Sequence, residues 1–174
     1  MSTENRALYY AKAAVETMMR KFQAQDLPPK GHFHYHQGVF LSGVYQTYRL
    51  CGDRRYFDYI KGWVDSCVDE KGEIHECDLG ALDDIQPGIL LYPLLDETGD
   101  ERYKKALDTL LAAIKDFPRN EIGGFWHKVD CPEQMWLDGL YMGGPIAAEY
   151  GSRFHQPECL ELVEQGALLM LEKT

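Results

Sequence analysis

Apolar side chains recur at helical spacing along most of this chain, and seven amphipathic segments can be read from them. Leu8, Ala11, Val15 and Met18 or Met19 mark a first helix ending near Phe22, with Ser2 or Thr3 as its cap. A break at residues 25–31, containing Pro28 and Pro29, separates it from helices expected over 37–50 and 54–68. Residues 69–80 turn polar with no usable period and are read as a loop. Further helices are expected over 85–96, 101–116, 136–150 and 157–171, and Pro157 suits a first helical position. Pro93 and Pro145 conflict with two of these, because an interior proline removes a main-chain hydrogen bond. The run GILLYPLL around Pro93 can also be read as a buried strand.

The pattern repeats. CGDRRYFDYI, from Cys51, matches TGDERYKKAL, from Thr98, in Gly, Asp, one variable position, Arg and Tyr. A worn third copy, YGSRFHQPECLELV, begins at Tyr150. Each copy reads as a glycine ending one helix in a left-handed conformation, an Asp or Ser capping the next, and an aromatic ring between them. A period of about fifty residues with two helices per unit describes an array of αα-hairpins, each covering its neighbour's apolar face. The fold class is therefore all-α, in one domain spanning residues 1–174.

Composition narrows the partners. A formal charge of −10, with 18 basic residues scattered among 28 acidic ones, is unsuited to neutralising phosphates, so neither nucleic acid nor a membrane surface is expected as a partner. No apolar run approaches the length needed to cross a bilayer, and residues 1–15 lack a basic region followed by an uninterrupted apolar core. A cytoplasmic location is expected. Five cysteines without a CxxC pair suggest reduced, mostly buried thiols.

In such an array the corresponding helix of every hairpin starts at the same end. Three unusual segments lie at those starts: HFHYHQG (32–38), LDDIQPG (82–88) and EQMWLDG (133–139). With the neighbouring GGFWHK, they bring His34, Tyr35, His36, Asp83, Asp84, His127, Lys128, Trp136 and Asp138 to one rim. Aromatic faces, paired carboxylates and a cation are the composition of a carbohydrate site. Asp83 and Asp138 can be working carboxylates; equally, each can be an ordinary acid at a helix start. The tryptophans can likewise be core residues. His34 and His36 form an HxH pair with no third ligand at recognisable spacing, so no metal is expected. GxSxG, P-loop and GxGxxG motifs are absent, which removes the common nucleophile and nucleotide readings.

The blocks GFWHK, PEQMWLDGLYMGGP, ALDDIQPG and HYHQGVFLSG, with the repeated GDxRY, resemble the unsaturated rhamnogalacturonyl hydrolases of glycoside hydrolase family 105, relatives of the family 88 unsaturated glucuronyl hydrolases. The resemblance implies an (α/α)6 barrel acting on the unsaturated uronic acid at the non-reducing end of a pectin-derived oligosaccharide. It assigns Asp138 as general acid and base and Asp83 as its partner, with Tyr35, His36, His127, Lys128 and Trp136 near the substrate. No metal or organic cofactor is implied. Six hairpins of that size need roughly 300 residues, so this chain corresponds to the N-terminal half of such a toroid. Self-association would cover the open half-barrel. The competing reading is a non-catalytic helical-repeat fragment that binds carbohydrate or protein.

Overall fold

The computed structural model describes residues 3–173, so Ser2, one of the two expected caps of the first helix, lies outside the described residues. Helix α1 (Thr3–Lys21) is followed by α2 (Tyr35–Cys51) and α3 (Arg54–Cys67). A short α4 (Leu82–Ile85) runs through a 3-10 turn (Gln86–Leu90) into α5 (Leu91–Thr98), and α6 (Glu101–Asp116), α7 (Gly139–Arg153) and α8 (Pro157–Lys173) complete the array. The described residues form no strand, only isolated bridges such as Ala81 with Lys128. The fold is all-α.

The two prolines that conflict with helix periodicity are accommodated differently. The expected helix over 85–96 instead begins at Leu82 and tightens to 3-10 geometry at Gln86–Leu90, which places Pro93 in the first turn of α5. A first-turn proline gives up a donor that helix ends leave unpaired in any case. GILLYPLL is thus helical, not a strand. Pro145 stays inside α7 and forgoes the bond that its nitrogen would make there.

Two copies of the repeat fold alike. Gly52 (φ 70°) and Gly99 (φ 67°) end α2 and α5 in the left-handed region, and their N–H groups donate to Tyr48 and Leu95 carbonyls. Asp53 and Asp100 then cap α3 and α6 by accepting from the N–H of Arg55 and Arg102. Tyr56 and Tyr103 are fully buried, and each hydroxyl donates back to an acid on an earlier helix, Glu16 at 3.2 Å and Asp65 at 2.7 Å.

The third copy departs from the expected pattern. Gly151 lies within α7, packed so tightly that an added Cβ would come 2.9 Å from the Gln156 carbonyl oxygen. The left-handed residue is instead His155 (φ 54°), and Ser152 does not cap the next helix. The cysteines also differ from expectation: all five are free, but only Cys67 and Cys159 are buried.

The core follows the array. Phe33, Leu41, Ile60, Leu91, Leu107 and Leu110 are shielded from solvent, and the buried Tyr92 hydroxyl donates to the Ile146 carbonyl at 2.7 Å, tying α5 to α7. Gly88 admits Leu110, whose Cδ1 would lie 2.4 Å from an added Cβ. These close approaches pack α5 on α7 and the Gln86–Leu90 turn on α6.

Candidate active site

The rim is assembled around the two adjacent acids of α4. Asp83 and Asp84 are both buried, an arrangement that demands compensation because a carboxylate loses its water there. Each is met from a different direction. Lys128 Nζ donates to Asp83 Oδ2 at 2.7 Å, and His127 Nε2 lies 3.3 Å from Asp83 Oδ1. Asp84 Oδ2 accepts from the Asp78 N–H at 2.7 Å, while His34 Nε2 lies 3.7 Å from Asp84 Oδ1.

The loop carrying His127 and Lys128 is held to α4 by its main chain. Leu82 N–H donates to the His127 carbonyl at 3.2 Å and Val129 N–H to the Gly80 carbonyl at 2.8 Å. Glu133, a non-glycine residue at φ 64°, turns the chain so that the Gln134 carbonyl accepts from His127 N–H at 2.8 Å. Trp136 then folds over the imidazole, its ring stacked on His127 at 4.2 Å and its indole N–H donating to the Gln134 side chain. The helix expected from Trp136 begins only at Gly139, because residues 134–138 are engaged in this loop.

Asp138 stands at the end of it. Its side chain is 52% exposed, and Oδ1 lies 3.8 Å from His127 Nδ1. His127 is only 1% exposed, and that Nδ1 has no hydrogen-bond partner. Neither acid acts as a cap: Asp138 precedes α7 without a side-chain cap bond, and α4 is preceded by Ala81. Both acids do lie at helix starts, Asp138 at the N-cap position of α7 and Asp83 in the first turn of α4, but neither side chain makes a cap hydrogen bond.

The expected site residues fall into two groups. Asp83, His127, Lys128, Trp136 and Asp138 form one connected set. Tyr35 and His36 stack on each other at 4.2 Å and reach it only through His34, whose Nδ1 accepts weakly from His36 N–H and whose other nitrogen faces Asp84. His127 is enclosed between Trp136 and the acids rather than facing solution. Sequence reasoning gave no signal for the supporting contacts of Gln134, Asp78 and the left-handed Glu133.

Burial and charge set the ionisation of the surrounding groups. The hydrogen bond to Asp83 raises the Lys128 pKa above its ordinary value, which holds the lysine as the ammonium. Burial raises the Asp84 pKa, and burial also lowers that of His34 despite the attraction of Asp84. Asp83, His127 and Asp138 place one ligand atom each within 4.8 Å of one another, the grouping among the described residues that a cation could use. Lys128 already supplies positive charge to Asp83, which reduces the attraction of this set for a cation.

A helical-hairpin array with an exposed carboxylate, a buried imidazole and a buried carboxylate in series at its rim defines a partial α/α toroid. The chain belongs to Glycosyl Hydrolase Family 88, whose family model matches residues 10–174. Among solved structures it is similar to a Family 105 glycoside hydrolase of C. acetobutylicum ATCC 824, with 32% identity and a TM-score of 0.83 over 92% of this chain and 44% of that one. It also resembles possible members of the GH105 family from Klebsiella pneumoniae (28% identity, TM-score 0.70) and Salmonella enterica (26%, 0.69), each over 80% of this chain and 36% of theirs. The chain thus spans less than half the length of these relatives. No helix among the described residues is long and apolar enough to cross a membrane.

Proposed function

We propose that this chain carries the acid–base half of a hydrolase that hydrates the C4=C5 double bond of a terminal unsaturated uronic acid on rhamnogalacturonan-type oligosaccharides. The observation that carries the reading is the series Asp138, His127, Asp83, Lys128, in which one carboxylate faces solution and the other is buried and neutralised. Asp138 is the group placed to touch substrate. Protonated, it donates to C4 while positive charge develops at C5, and as a carboxylate it then takes a proton from the water whose oxygen bonds to C5.

The product of that step is a hemiketal at C5. Its ring C5–O bond breaks to give a C5 ketone, and the hemiacetal exposed at C1 expels the second sugar as an alcohol, leaving an aldehyde. One water is consumed overall. Asp83 does not meet the sugar; it fixes the His127 ring, which positions Asp138 from behind. The 3.8 Å gap between His127 and Asp138 is of the kind that tightens when substrate binds. Trp136, 42% exposed, offers a face for the pyranose ring, and Lys128 offers a cation to an acidic substituent.

A second reading, a carbohydrate-binding fragment without turnover, is favoured by the half-exposed Asp138 and by the 44% span of the first relative. The two separate in one assay. Absorbance of the unsaturated uronate should decay when an unsaturated rhamnogalacturonan disaccharide meets the parent chain, and about 10²–10⁴-fold more slowly with Asp138→Asn. Binding without decay, in folded parent protein, would discard the hydrolase reading for this chain and leave the binding one.

A further inference from the structure

Asp84, His34 and His36 have no part in the reaction at Asp138, yet they are joined in a line that ends on the rim. Asp84 is buried on α4, and its Oδ2 is held by the Asp78 main-chain N–H at 2.7 Å. Its other oxygen, Oδ1, faces His34 Nε2 at 3.7 Å. On the far side of that imidazole, His34 Nδ1 lies 2.8 Å from His36 Nδ1, and the two rings are within 17° of parallel. Tyr35 lies 4.2 Å from the His36 ring and 4.5 Å from the His34 ring, so the three rings hold one another in place.

The proton on each imidazole follows from its partners. His34 is the N-cap of α2, and the His36 main-chain N–H that points at its Nδ1, at 3.5 Å, can only donate. His34 Nδ1 is therefore an acceptor, and the one proton of the neutral ring sits on Nε2, toward the Asp84 carboxylate. Burial keeps His34 neutral above pH 6.5; it outweighs the attraction of Asp84 and Asp83, and His36 and Lys128 act in the same direction as burial. Asp84 is raised by burial and by the Asp78 and Asp83 carboxylates, while the Asp78 main-chain N–H and His34 oppose this. A protonated Asp84 donating to Nε2 would force a proton onto Nδ1, against the capping N–H. With His34 Nδ1 accepting, His36 carries its own proton on Nδ1, and its Nε2 is left with a lone pair.

We propose that Asp84 and His34 are positioning residues that fix the His36 tautomer, so that His36 Nε2 accepts a hydrogen bond from a hydroxyl group of the sugar. The proposal rests on the carbohydrate reading of the rim. It divides recognition between two groups of opposite kind. Lys128 only donates and suits an acidic substituent, whereas His36 Nε2 only accepts and disfavours a carboxylate in the same place. Asp84, which never meets the sugar, sets this preference through two imidazoles.

Nitrogen NMR of the 174-residue chain tests it, because ring nitrogens with and without a proton resonate far apart. The six histidines are told apart by the signals lost in His34→Asn and His36→Gln. Above pH 6.5 the parent should carry its protons on His34 Nε2 and His36 Nδ1. Asp84→Asn, whose amide can donate to His34 Nε2, should move them to His34 Nδ1 and His36 Nε2. His34→Asn keeps an acceptor at the start of α2 and should make His36 indifferent to a further Asp84→Asn change. Adding an unsaturated rhamnogalacturonan disaccharide should shift the His36 Nε2 signal of the parent, and Asp84→Asn should bind it about 2–10-fold more weakly. A His36 proton on Nε2 in the parent, or tautomers unmoved by Asp84→Asn, would overturn the proposal. A disaccharide that perturbs the Trp136 indole signal but not His36 would overturn it alone; one that perturbs neither would overturn the carbohydrate reading with it.

Discussion

At the turn end of the hairpin array, Gly52-Asp53 and Gly99-Asp100 make the same cap twice, with φ values of 70° and 67° at the glycines. At the rim end, the starts of α2, α4 and α7 share neither a cap nor a backbone pattern. The turn end is built by local rules and repeats because the rules do. The rim is built by contacts between distant segments, and the acids there make no cap bond but face His127, Lys128 and His34. Local capping and long-range contact are therefore concentrated at different ends of this chain, and substitutions at the two ends should report on different quantities.

The largest stability effect is expected at the turn end. Tyr103→Ala empties a fully buried site and removes one of the hydrogen bonds to Asp65, which keeps Lys61 and Arg102, and should cost about 3–5 kcal/mol in urea unfolding. Asp138→Asn, on the exposed side of the rim, should leave the same curve unmoved while removing activity. A rim substitution that affects both ends of the comparison is Lys128→Met. It leaves the Asp83 carboxylate buried beside His127 alone, at about 1–3 kcal/mol, and a second change, Asp83→Asn, should recover part of that loss.

Smaller effects sharpen the contrast. Asp100→Ala removes one cap bond and should lower stability by about 1 kcal/mol without altering turnover, measured by unfolding and by uronate absorbance side by side. The smallest effect is a pH dependence at the rim. Burial holds His34 below its ordinary value of 6.5, so the unfolded chain takes up this proton first. The contribution of neutral His34 is complete above pH 6.5 and is lost as pH falls through its lower folded value. Asp84, raised by burial, has the opposite sign: its cost is relieved as the pH falls. His34→Gln should flatten the stability curve between about pH 6.5 and 5 relative to the parent. A steeper curve would mean that the Asp84 contact, not burial, dominates the histidine.

The helices and two of the three repeated turns were legible in the sequence because period, glycine and capping Asp are local signals. Membership of the rim was legible too, since the repeat fixes which segments share an end. What the sequence did not reveal lies where distant contacts override local pattern. Trp136 and Leu137 have helical spacing, yet His127 and Gln134 hold the tryptophan, and α7 waits until Gly139. The left-handed turn moves from Gly151 to His155 because the glycine is needed for packing at 2.9 Å. His127 reads as a loop residue open to substrate, but its enclosure depends on a ring from nine positions downstream and an acid from the preceding hairpin.

The backbone bonds from Leu82 to His127 and from Val129 to Gly80 carry a consequence for how such a rim can diverge. They fasten the Lys128 loop to the Asp83 helix through main-chain atoms that every residue type except proline possesses. Descendants of this chain can exchange the side chains at positions 83, 127 and 128 while the seam between the two segments stays in register. New side-chain chemistry at this rim can therefore arise by point substitution, with no insertion or refolding of the loop.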